Sequence, residues 1–144
     1  MLAVKWFTKC NREFRGGCQT DFKYPVGKWL HEDKIEHCES GFHLPQSIKG
    51  IETWGHGIDG AVPCLVEIKG KILLDSGCDD HKMVVSDLKL IKELPFIREG
   101  YTKREAIRNL EKYIKATYPD MFYYDRGWKK KHIKNIDYSI GELI

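Results

Sequence analysis

The chain has 144 residues, 42% hydrophobic and 31% charged, with a formal net charge of +3. That balance supports one core under a solvated surface and excludes a disordered chain. No apolar run approaches the roughly 20 residues that a bilayer-spanning helix needs, so no membrane partner is expected.

Taken in order, Leu2, Val4 and Trp6 alternate with Ala3, Lys5 and Phe7, the period of a β-strand. Gly16-Gly17 breaks this first segment. Tyr24-Pro25-Val26-Gly27 has the composition of a turn, and Lys28 to His31 follows as a strand. Ile35–Cys38 and Gly41–Leu44 read as two short extended pieces joined by Glu39-Ser40. Pro45 suits the first turn of a short helix reaching to about Trp54. The glycines among Trp54 to Gly60 predict a loop.

Cys64–Ile68 and Lys71–Leu74 are expected as two strands, with a bend at Gly70. Met83–Leu94 reads as a long extended segment whose apolar residues fall only partly in phase, predicting a bulge near Asp87. Thr102-Lys103-Arg104-Glu105 fits a capping box opening a helix over residues 102–118. Ile107, Leu110, Ile114 and Tyr118 share its inner face, and Pro119 stops it. Ile136, Tyr138 and Ile140 alternate as a final strand. The expected fold is therefore α+β, a mixed, mainly antiparallel sheet with one long helix of the C-terminal half packed on it. Residues 1–144 form one domain, with a β-rich core over 1–94 and a helical, basic extension over 95–144.

Cys10, Cys18, Cys38, Cys64 and Cys78 are odd in number and irregularly spaced. The start, Met1 to Trp6, has no basic leader followed by a long apolar stretch. Free thiols in a reducing cytoplasm are the expectation. Cys38 with His43 and Cys78 with His81 would supply four zinc ligands, but neither pair has the tight spacing of a zinc knuckle, and no metal is assigned. Residues 101–144 hold ten Lys or Arg against six Asp or Glu, while residues 1–100 hold fourteen against fifteen. Within the basic third, Trp128, Lys129, Lys130 and Lys131 mix charge with aromatic surface, a weak signal for single-stranded nucleic acid.

The hexapeptide Cys38-Glu39-Ser40-Gly41-Phe42-His43 carries a resemblance, together with Phe22–Lys28, Val66–Gly70 and the Val84–Leu94 stretch ending in Lys-Glu-Leu. Over about residues 12–94 the chain resembles a family of small uncharacterised domains found in bacteriophages and bacterial mobile elements. That resemblance implies a phage or mobile-element origin more than an activity, and the expected function is a phage-type accessory protein that acts by binding on host or defence machinery in the host cytoplasm. Its partner would be a host or bacterial protein or a nucleotide-type ligand, held near Arg15, Tyr24, Phe42 and His43.

A second resemblance is to ADP-ribosyltransferases. Arg15-Gly16, Gly41-Phe42-His43-Leu44 and Asp79-Asp80 occupy the order of that fold's segments. It implies NAD as cofactor and Arg15, His43 and Asp80 as the catalytic set, with aspartate standing where those enzymes carry glutamate.

Overall fold

The computed structural model describes residues 1–16, 22–36, 40–45, 61–74, 82–121 and 140–143. It is a mainly antiparallel sheet curled into a half-barrel, with one helix packed on it among the described residues. The strands are β1 (Leu2–Cys10), β2 (Glu13–Gly16), β3 (Lys23–Tyr24), β4 (Trp29–His31), β5 (Phe42–Pro45), β6 (Ala61–Leu74), β7 (Lys82–Glu93) and β8 (Ile140–Leu143). The helix is α1 (Lys103–Thr117).

The hairpin of β6 and β7 is the spine. One edge of β6 takes β1 antiparallel and, farther along, β8 parallel. The outer edge of β7 takes β5 and then β4, both antiparallel. Strands β2 and β3 extend the sheet beyond β1, so the path runs β3-β2-β1-β6-β7-β4. The expected pair Cys64–Ile68 and Lys71–Leu74 is thus one continuous strand.

Alternation sends each strand's residues to two faces. The inner, concave face buries Ala3, Phe7, Phe14, Phe42, Leu44, Cys64, Val66, Ile68, Ile72, Met83, Val85, Leu88 and Leu90. On the outer face Val4, Trp6, Leu65 and Leu94 pack against Leu110 and Ile114 of α1 and against Met121. Trp6 also meets Phe96 edge-on at 5.1 Å. The helix begins as the sequence requires: Thr102 accepts from the Glu105 amide at 3.1 Å, and the Glu105 carboxylate accepts from the Thr102 amide at 3.0 Å. Tyr118 forms its C-cap, directly before Pro119.

Two further local readings change. Pro45 ends strand β5, paired with Lys82, and does not open a helix; the rest of the proposed 45–54 helix and the 54–60 loop lie outside the described residues. The irregularity near Asp87 is real but belongs to the partner strand. Between Lys69 and Ile72, β6 advances three residues while β7 moves from Asp87 to Val85, so the extra residue sits at Gly70-Lys71 opposite Ser86. A second shift puts an extra residue on β7 at Ile91.

The β1–β2 hairpin has no counterpart among the sequence-based expectations. Cys10 pairs with Glu13, leaving Asn11 and Arg12 as a two-residue turn with φ of 50° and 67°. Both positions are left-handed, as a type I′ turn demands, but Asn-Arg lacks the glycine that advertises such turns.

Gly70 has φ +80°, and a Cβ there would run into the Ser86 hydroxyl and the Asp87 carboxylate. Gly70→Ala should therefore lower unfolding stability by about 2 kcal/mol or more, since strain and collision add. Arg12→Gly should raise it by about 1 kcal/mol by relieving a left-handed non-glycine residue. Urea denaturation of the two variants, followed by circular dichroism, measures both.

Candidate functional site

Phe42 and Leu44 of β5 point into the concave core, and Tyr24 of β3 joins them there. Tyr24 lies 6.1 Å from the Phe42 ring and 4.9 Å from Phe7, both edge-on. Burial holds the Tyr24 phenol in its neutral form, with a pKa pushed up to about 12. Two residues expected to bind ligand, Tyr24 and Phe42, thus meet as an aromatic cluster.

Lys5 lies in the same cluster. Only 8% exposed, its ammonium donates to the His43 backbone carbonyl and sits 5.5 Å from the Phe7 centroid and 5.8 Å from that of Tyr24. This contact crosses the concave face from β1 to β5, past the two intervening strands β6 and β7.

Arg15 and the ring of His43 lie elsewhere. Arg15 pairs in register with Thr8 and Lys23, on the face opposite Phe14 and Tyr24. Its guanidinium donates to Glu13 at 2.8 Å, and Lys23 reaches the same carboxylate at 3.3 Å. These two cations hold the Glu13 carboxyl below its ordinary range, Lys23 more than Arg15. His43 stands opposite Val84, on the other face from Phe42, and its Nδ1 donates to the Gly41 carbonyl at 3.2 Å. Asp80 lies outside the described residues, as do Trp128, Lys129, Lys130, Lys131, Cys38, Cys78 and His81. Among the described residues no group of three His, Cys, Asp or Glu side chains could hold a metal ion.

The motif glycine has a structural task. Gly41 has φ +93°, and a Cβ there would press on Val84 and Ile35. Just before it, Glu36 and Ser40 exchange backbone hydrogen bonds at 3.0 and 3.1 Å, turning the chain into β5. This part of the hexapeptide therefore shapes a turn and sends Phe42 inward.

Among the described residues, an open polar constellation lies on the outer face of β4, β7 and β6, away from α1. Register places Trp29, Lys89 and Glu67 in one cross-strand row and His31, Asp87 and Lys69 in the next. Trp29 is 38% exposed, an unusual state for an indole on a sheet. The Lys69 ammonium lies 4.0 Å from its ring centroid and that of Lys89 5.0 Å; Lys89 also pairs with Glu67 at 3.2 Å.

Beside this ring opens a cleft of about 330 Å³ lined by His31, Asp33, Gly70, Lys71, Ser86 and Asp87. Its wall is a continuous hydrogen-bonded chain. The Lys71 amide, freed by the bulge, donates to Ser86 Oγ at 2.8 Å, and Ser86 donates to Asp87 Oδ2 at 2.6 Å. Asp87 Oδ1 faces His31 Nδ1 at 2.9 Å, and His31 Nε2 faces Asp33 Oδ1 at 2.6 Å. Asp33 first and Asp87 second raise the His31 pKa above its ordinary value. Ser86 donates to a carboxylate and not to the histidine, so the chain is no nucleophile–base pair. Sequence reasoning missed this site because His31 and Asp87 are 56 positions apart.

Residues 1–98 match the family described as a domain of unknown function (DUF7666), and the chain belongs to that family. The match covers the strands β1 to β7 and stops before α1. No curated protein and no solved structure matches the chain.

Among the described cysteines, Cys10 is exposed and Cys64 fully buried. Burial, with the Glu93 carboxylate adding to it and Lys9 opposing, pushes the Cys64 thiol up to about 12. In the native protein at pH 8, iodoacetamide should alkylate Cys64 on the order of a hundredfold more slowly than Cys10. Peptide mass mapping before and after denaturation reads the ratio, and equal native labelling would contradict the buried placement.

Proposed function

We propose that this protein is a binding module, not an enzyme, and that it takes a nucleotide-type ligand on the outer face of β4, β7 and β6. The single observation carrying the reading is the exposed Trp29 ring with the Lys69 and Lys89 ammonium groups at 4.0 and 5.0 Å, beside the polar cleft. An indole face is a stacking platform for any base that displaces the lysine ammonium lying over it, and the displaced lysines suit that ligand's phosphate oxygens. The Asp33 carboxylate at the mouth of the cleft suits ribose hydroxyls, as acidic residues do in dinucleotide sites.

The transferase reading finds no such support among the described residues. Arg15 is tied to Glu13 on the face opposite Tyr24, and the His43 ring is turned to its own turn. The nucleic-acid reading of Trp128 to Lys131 rests on sequence alone.

In this reading the protein is an accessory factor of the phage or mobile-element type, acting in the host cytoplasm on host or defence machinery. The resemblance of its Cys38–His43 segment is the support for that setting. No described helix is long and apolar enough to cross a membrane.

Titration with ATP, ADP, NAD and a short single-stranded oligonucleotide, read by tryptophan fluorescence and calorimetry, tests the reading. Trp29→Ala should weaken binding by roughly 5- to 100-fold, the worth of one stacked base, and affinity should fall with added salt. No saturable binding by any of the four would remove the nucleotide-type ligand. A stoichiometric protein captured through the same face would then replace it.

A further inference from the structure

We propose that His31 is a pH-operated latch: its protonated ring ties Asp33, just after edge strand β4, to the Asp87 anchor on β7, and the neutral ring keeps Asp87 but lets the Asp33 segment go. This goes beyond the ligand reading and stands whether or not the cleft is ever filled.

Both ring nitrogens face carboxylate oxygens, Nδ1 on Asp87 at 2.9 Å and Nε2 on Asp33 at 2.6 Å. An ionised carboxylate only accepts, so both contacts are hydrogen bonds only while both nitrogens carry protons. A neutral imidazole keeps one N–H. Its other nitrogen then points a lone pair at an anion, and that contact turns from attraction to repulsion.

The two carboxylates are not equally held. Asp87 is 17% exposed and anchored through its second oxygen by Ser86, itself buried and accepting from the Lys71 amide. Asp33 is 98% exposed. The neutral ring therefore keeps Nδ1–H on Asp87 and releases Asp33.

The released element is slight. Strand β4 has three residues, and beyond it the chain is held to β7 by the Glu32 amide donating to the Ser86 carbonyl at 2.8 Å. A stretch held in this way opens at little cost, so one charge can decide the state of the residues just after β4.

The charged groups facing the ring are Asp87 and Lys89 from β7, Glu67, Lys69 and Lys71 from β6, and Asp33 from its own segment. Lys69 and Lys89 are drawn onto Trp29, and Lys89 is also paired with Glu67. The two contacting aspartates prevail and raise the His31 pKa, Asp33 more than Asp87. A folded-state pKa above the unfolded value of 6.5 gives stabilisation fully present below about pH 6.5. It is lost as pH rises through the raised value.

The test is NMR on the full chain from pH 5.5 to 9, following the His31 ring and the hydrogen-exchange protection of the Glu32 amide, corrected for intrinsic exchange. His31 should titrate above 6.5, and Glu32 protection should fall several-fold with the same midpoint. Asp33→Asn should move both midpoints down together, and His31→Gln should leave protection independent of pH. A ring titrating at or below its ordinary value overturns the latch. So does Glu32 protection that stays constant while the ring titrates.

Discussion

A buried ammonium closes the sheet. Lys5 reaches from β1 across the concave face to the carbonyl of His43 on β5, under the rings of Phe7 and Tyr24. Burying a cation without partners would be strongly unfavourable, so the charge stays inside only while a carbonyl oxygen and aromatic faces surround it. That requirement couples the two ends of the curled sheet. Residues from β1, β3 and β5 must stand together for any of them to be satisfied, and the aromatic cluster of Phe7, Phe14, Tyr24 and Phe42 is the apolar lining that results.

The curl also needs bends in the β6–β7 spine, and the two register shifts supply them. At the Gly70-Lys71 bulge the ladder loses a partner for the Lys71 amide, and the buried Ser86 hydroxyl replaces it. Ser86 then passes its own proton toward Asp87, which faces His31. A device for bending the sheet inward thereby builds a polar chain on its outside. The outer face is divided accordingly: one end is sealed by α1 over Val4, Trp6 and Leu65, and the other carries Trp29, three lysines and the cleft.

The hexapeptide that drew attention in the sequence takes on a different meaning in this frame. Gly41 supplies a left-handed backbone where a side chain would strike Val84, and Phe42 and Leu44 go to the core. Its distinctiveness on these residues is that of a tight turn feeding an edge strand. Arg15 likewise serves a surface cluster with Glu13 and Lys23. Motif residues rare enough to be noticed are often those with unusual backbone demands.

Local chemistry made several elements readable from the residues alone. The Thr102–Glu105 box, the apolar spacing of Ile107, Leu110 and Ile114, and the alternation of β1 depend on neighbours within four positions, so one chain segment contains the whole signal. The mainly antiparallel sheet with a helix on it followed from those elements. Tertiary structure alone decided which strand carried each bulge, that Asn11-Arg12 turns a hairpin, and that Lys5 spans two strands. It also decided that Trp29, His31, Asp87 and Lys69 share a face, and that Arg15 and Tyr24 do not. The physical reason is register: a shift of one residue between paired strands moves every side chain to the other face, and nothing in a strand's own sequence states its partner's register.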